Sequence, residues 1–171
     1  LIMALSLGAF TSQAADPDSL IIHNFGTANF KTTATDIAIL NDKSYYRILD
    51  LRDGINNAFN QGAKISYFHH SVGGYHPAKL SIYQDLIENQ WYKFPNCMPT
   101  MNMLNTKYVI SGNLENDTIP NKDALGNVWF VKGIQFEKGP AEVMQRLDIF
   151  NPKDTAIIEQ KDKIESLNNI E

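Results

Sequence analysis

Cysteine occurs once in this chain, at Cys97, so no internal disulfide can form and no group of thiolates is present to hold zinc. Basic charge is also scarce. Fifteen Lys and Arg against 19 Asp and Glu leave a net charge of −4 and a pI near 5.5, with the cations scattered along the chain. A basic face of the kind that draws a nucleic-acid backbone is missing, which excludes nucleic acid as a partner. No Gly-x-Ser-x-Gly elbow occurs, and no His-x-x-x-His pair, internal repeat or low-complexity tract. Long apolar runs are lacking too. Residues 1–10 are almost wholly apolar, but this is short of the roughly 20 residues that cross a bilayer. We read residues 1–14 as the apolar end of a membrane-spanning helix or a signal segment, with Ser12-Gln13-Ala14 resembling a peptidase site and a buried helix as the third option. Either of the first two places the rest of the chain outside the cytoplasm.

What is present is ordinary globular material, 171 residues at 43% hydrophobic, enough for one domain over residues 30–160 and a charged tail at 161–171. Thr33-Ala34-Thr35-Asp36 has the form of a capping box and predicts a short helix to about Leu40. Residues 45–51 read as a strand buried on both faces, followed by a stop at Asp53-Gly54 and one helical turn over 55–60. Residues 64–68 read as a second strand. An amphipathic helix is expected over 77–90, starting at Pro77, and a shorter one capped by Thr100, with Asn105 as a left-handed stop. Strands are expected over 107–111, 128–136 and 155–159, with a loop over 112–127 and a helix starting at Pro140 whose Val143, Met144 and Leu147 face inward. Strands alternating with helices point to an α/β fold, with α+β as the neighbouring option: a mixed, partly parallel sheet with helices packed on it as an αβα-like sandwich.

The polar chemistry concentrates in residues 67–80, Tyr-Phe-His-His-Ser-Val-Gly-Gly-Tyr-His-Pro-Ala-Lys-Leu, which hold three of the four histidines. Gly73-Gly74 reads as a hinge and Pro77 as a helix start, so the segment is expected to deliver its side chains to a helix N-terminus. His70, Tyr75, His76 and Lys79 then form a candidate site for a phosphate or a glycan: imidazoles and an ammonium donate, and Tyr75 offers a flat face to a sugar ring. The plainer reading is that the histidines are hydrogen-bonded loop residues and that Tyr75 and His76 lock the loop to the core. Adjacent His69 and His70 point to opposite sides of an extended chain, so only one of them can join His76, and a third ligand is missing. No metal and no cofactor is expected. Asp50 and Asp53 read as solvated strand-end residues, and no residue qualifies as catalytic.

Several blocks together resemble a known family. Tyr46-Arg47-Ile48-Leu49-Asp50-Leu51, the run from Ser66 through Gly73-Gly74-Tyr75-His76 to Lys79-Leu80 with Tyr83-Gln84, then Met103-Leu104-Asn105-Thr106-Lys107-Tyr108, then Asn121 with Leu125-Gly126-Asn127-Val128-Trp129-Phe130-Val131, resemble successive blocks in the extracytoplasmic region of YfhO-like bacterial membrane proteins. They come in the family's order across about residues 30–159. The resemblance implies a piece of a multi-spanning protein at the extracytoplasmic face of the cell membrane, similar to glycosyltransferases that take sugars from a lipid-phosphate carrier for a cell-envelope polymer. It implies membrane association through the parent protein and a lipid-phosphate sugar or envelope glycan as partner. The acidic catalytic residue of such transferases belongs to an earlier loop, so no residue here is catalytic by resemblance. The connection over residues 91–99 is shorter than the family's. A secreted or periplasmic interaction or glycan-binding module without enzymatic activity is the competing reading.

Overall fold

The computed structural model describes residues 2–5, 31–62, 64–112 and 117–163. In chain order the elements are β1 (Ile2–Leu5), α1 (Ala34–Leu40), β2 (Arg47–Asp50), α2 (Ser81–Asn89), α3 (Met98–Met103), β3 (Thr106–Ile110), β4 (Thr118–Pro120), β5 (Val128–Val131), β6 (Gly133–Glu137), α4 (Pro140–Arg146) and β7 (Thr155–Glu159). A π-helix (Asn57–Gln61) and three 3-10 turns (Lys64–Tyr67, Trp91–Lys93, Gln160–Asp162) complete them. Mixed parallel and antiparallel pairing with helices packed against it makes the fold α/β in class. The described residues fall into two compact units, one drawn from residues 8–77 and 106–122, the other from residues 1–7, 78–105 and 123–171.

The first unit is built on a three-stranded sheet in the order β2-β3-β4, β2 parallel and β4 antiparallel to β3. On the other side of β2, Ile48 N–H donates to the His70 carbonyl at 2.8 Å and Val72 N–H to the Ile48 carbonyl at 3.0 Å, with Ser71 bridged to Ile48. Strand β2 therefore has hydrogen-bonded neighbours on both edges, and it is buried without interruption from Arg47 to Leu49. Helix α1 starts where the capping box places it, with Thr33 N–H on Asp36 Oδ2 at 2.8 Å and Asp36 N–H on Thr33 Oγ1 at 3.2 Å. Its Ile39 packs into a core with Tyr46, Ile48, Ile65 and Ile110.

Residues 64–68 are a 3-10 turn followed by a bend, where the alternation suggested a strand. Phe68 and His69 N–H both fold back onto the Ile65 carbonyl, and the pairing with β2 falls to the next residues, 70–72. Only Ile65 of this turn is buried, while Tyr67 points to solvent.

In the second unit, β6 and β7 are parallel and in register from Gly133↔Thr155 to Glu137↔Glu159, joined by a crossover through α4. Pro140 begins α4 after an extended Gly139, as its sequence predicts. The single strand expected over 128–136 is two. At the break, the N–H groups of Lys132 and Gly133 both donate to the Asp154 carbonyl, and the chain changes partner there: β5 pairs antiparallel with β1, whereas β6 pairs with β7. Residues 2–5 of the expected apolar segment are thus strand, and residues 6–14 and 164–171 lie outside the described ones. Among the described residues, no helix is long and apolar enough to cross a membrane.

Helix α2 starts at Ser81, four residues later than the sequence suggested. Leu80, in extended backbone, occupies the N-cap position and its carbonyl takes the N–H groups of Tyr83 and Gln84, so Pro77 sits in a turn before the helix. Helix α3 starts two residues earlier than Thr100. Pro99 lies in its first turn, where a missing N–H costs no intrahelical bond, and the Thr100 hydroxyl donates to the Cys97 carbonyl at 2.7 Å. Asn105, at φ 56°, is the left-handed stop its position implied. The region expected to be loop over 112–127 contains the short strand β4.

Candidate functional site

The glycines of residues 67–80 have a packing role. A Cβ on Gly73 would lie 2.3 Å from the Ala58 carbonyl oxygen and 2.7 Å from Phe59 Cα, both backbone atoms. Gly74 holds φ +109°, and its Cβ would meet the Gly62 carbonyl oxygen at 2.5 Å. Gly74 N–H donates to Phe59 O at 3.1 Å and Tyr75 N–H to Gly62 O at 3.2 Å. The pair thus lies flat on the π-helical turn of Asn57–Gln61, and the hinge predicted from Gly-Gly is a fixed contact.

The candidate side chains fall in different environments. His70 is half-buried, its ring 5.1 Å from that of Tyr45 at a tilt of 35°. Tyr75 is 65% exposed and His76 is also at the surface. Lys79 belongs to the other unit, is half-buried, and its pKa is lowered by burial. Tyr75→Ala should therefore change stability by less than about 0.5 kcal/mol, read by urea denaturation, which makes it a clean variant for ligand tests. A loss above about 2 kcal/mol would show that the ring locks the loop.

Next to this loop lies a polar cluster that the sequence does not announce as one. His69, 2% exposed, is buried, whereas His70 is half-buried. His69 Nε2 lies 3.1 Å from Asp36 Oδ1. A carboxylate can only accept, so this nitrogen carries the proton, and Nδ1, buried, has no hydrogen-bond partner. Arg52 holds both nearby carboxylates. Its Nη2 donates to Asp36 Oδ1 at 2.9 Å and Asp50 Oδ2 at 2.6 Å, and its Nε reaches Asp50 at 3.0 Å. Burial pushes the Asp36 pKa up, but hydrogen bonds from His69, Arg52 and Thr33 outweigh it and hold the carboxyl well below the usual range. Burial likewise disfavours charged Arg52, and its contacts with Asp50 and Asp36 reverse this. Asp50 is an ion-pair partner, contrary to its reading as a solvated strand end. Arg52 is shared by the two carboxylates, and the cluster ties α1, the end of β2 and the 64–69 turn together.

Within the second unit, side chains of α2, α3, α4, β5 and β7 line a cavity of about 370 Å³. Its walls include Ile82, Leu86, Met103, Val143, Met144 and Leu147, the last three being the residues expected to face inward from α4. Cys97 lies outside this lining, 2% exposed, with its pKa pushed up by burial to about 11; it is a thiol at neutral pH and no nucleophile. Among the described residues, no group of three His, Cys, Asp or Glu has a metal-holding arrangement.

No family model, curated protein or solved structure matches the chain.

Proposed function

We propose that this chain is an extracytoplasmic domain of a YfhO-like polytopic membrane protein, assisting transfer of a lipid-linked sugar to a cell-envelope polymer without supplying the catalytic group. The ordered block pattern supports this reading above all. Its most specific block, Gly73-Gly74-Tyr75-His76-Pro77-Ala78-Lys79-Leu80, carries residues of two kinds: Gly73 and Gly74 seat the backbone on the turn beneath, and Tyr75 and His76 reach the surface. An aromatic face beside an imidazole suits a sugar or its phosphate. The engagement of Asp36 and Asp50 by Arg52 and the buried thiol of Cys97 favour an assisting role over chemistry.

Cysteine accessibility in the native host tests this. In intact cells, Tyr75→Cys in the complete gene product should be labelled by a membrane-impermeant maleimide, while the wild type, whose Cys97 is buried, stays unlabelled at this chain. The labelled protein should sediment with membranes. Labelling that needs cell lysis removes the extracytoplasmic reading. Labelling of a soluble, secreted product favours the interaction-module reading instead.

A further inference from the structure

The proposed function leaves the cavity of the second unit without a role, and its chemistry is specific. Sixteen residues form the lining and none carries a charge: no Asp, Glu, Lys, Arg or His is among them. Of the four lining side chains that carry a donor, Tyr83, Thr100, Trp129 and Thr155, two are engaged elsewhere. The Thr100 hydroxyl donates to the Cys97 carbonyl at 2.7 Å, and the Trp129 indole N–H donates to the Pro152 carbonyl at 2.8 Å. A sugar, a phosphate or a carboxylate placed here would lose its water and find at most the Tyr83 and Thr155 hydroxyls as side-chain replacements, so most of its polar groups would stay unpaired, at a cost of roughly 2–7 kcal/mol for each neutral group and more for a charge. The volume, about 370 Å³, falls in the ~300–1,000 Å³ range of small-molecule clefts. It is also more than twice the ~150 Å³ at which an apolar cavity stays dry and takes up hydrocarbon. Met103 and Met144 supply unbranched, polarisable walls that adjust to an occupant.

We infer that this cavity binds an uncharged hydrocarbon group, recognised by shape and dispersion alone and entering beside Ile82. Ile82 is 56% exposed on α2 yet belongs to the lining, which places it at the opening. The site lies wholly within one unit and does not depend on the membrane assignment.

N-phenyl-1-naphthylamine, an uncharged fluorescent probe, tests it on the full chain. The wild type should take up one equivalent with a blue-shifted rise in emission, and 1-dodecanol should displace it. Val143→Trp fills the cavity and Ile82→Trp closes its opening; each should weaken uptake by about tenfold or more. The exposed position of Ile82 keeps that variant folded where Val143→Trp is not, and circular dichroism checks both. Carbon-13 methyl spectra give an independent readout. On adding 1-dodecanol, the Met103 and Met144 methyls should shift, while Met98 and the fully buried Met101, which are not in the lining, should hold still. Absence of saturable uptake, equal uptake by the wild type and both variants, or shifts at Met98 and Met101 instead, would overturn the site. None of these results bears on the maleimide test.

Discussion

Replacing Gly73 with alanine should destabilise the protein by about 3 kcal/mol and lower its melting temperature by about 6–12 °C. The added methyl would sit 2.3 Å from the Ala58 carbonyl oxygen and 2.7 Å from Phe59 Cα. Neither neighbour is the far end of a flexible side chain. Relief requires moving the backbone of the π-helical turn, whose Phe59 is fully buried, or of residues 70–72, which pair with β2. Both movements disturb the same core. Gly133 is the control: nothing lies within 4 Å of where its Cβ would be, and it sits in a regular strand. Gly133→Ala should leave stability unchanged or raise it by a few tenths of a kcal/mol to about 1 kcal/mol. If thermal melting gives the two substitutions equal effects, the close contact at Gly73 is not what fixes this loop.

The second large effect is expected at Asp36. Its carboxylate closes the capping box, accepts from Arg52 and accepts from His69, while its side chain is only 2% exposed. Asp36→Ala removes all three at once and leaves the His69 ring with neither nitrogen partnered in the interior. We expect a loss of about 3–4 kcal/mol, since breaking a buried ion pair by removing one partner costs about 3–5 kcal/mol and Arg52 keeps Asp50 as a second partner. Asp36→Asn, which keeps an acceptor oxygen but no charge, should cost about half as much.

The pH dependence gives the sign. The folded-state pKa of Asp36 lies below its unfolded value of about 3.9, so its ionised form contributes stability that is fully present above about pH 4 and is lost as pH falls toward the folded value. The difference between wild type and Asp36→Ala should therefore be constant from about pH 7 to pH 5 and should narrow by about pH 2.5. Asp42, held low by Lys107, the Ser44 N–H and the Tyr108 hydroxyl, adds a dependence of the same sign in both proteins, so only their difference reports on Asp36. Urea titrations at these pH values measure it. A gap that stays constant down to pH 2.5 would mean that Asp36 contributes by packing and capping and not by charge.

How far such features can be read from the chain depends on how local they are. The capping box at Thr33, the left-handed Asn105 and Pro140 at the start of α4 are each set by nearby residues, and all appear where the sequence places them. The errors have a common cause. At residues 64–68 the apolar spacing fits a strand, but backbone groups folding back onto Ile65 make a turn instead. At residues 128–136 one β-rich run is shared between two partners because Asp154, more than twenty positions away, takes the N–H groups at the break. The polar cluster escaped notice for the same reason. Asp36 and His69 stand 33 positions apart, and no local pattern links a helix cap to a loop imidazole.

For the candidate loop, composition alone marked residues 67–80 as unusual. It could not say which histidine was interior, nor that the Gly-Gly pair rests on residues 58–62.

By itself the chain determined its mixed α/β class, the cap of α1, the start of α4, the stop at Asn105, and the absence of a disulfide framework or a basic face, because these arise from short-range sterics, hydrogen-bond capacity and summed charge. Only the tertiary structure decided that Asp36, Arg52 and His69 meet, that Tyr75 faces water, and that five elements line an uncharged cavity. Those outcomes depend on which distant segments pair, and pairing between distant segments is set by the packing of the whole core.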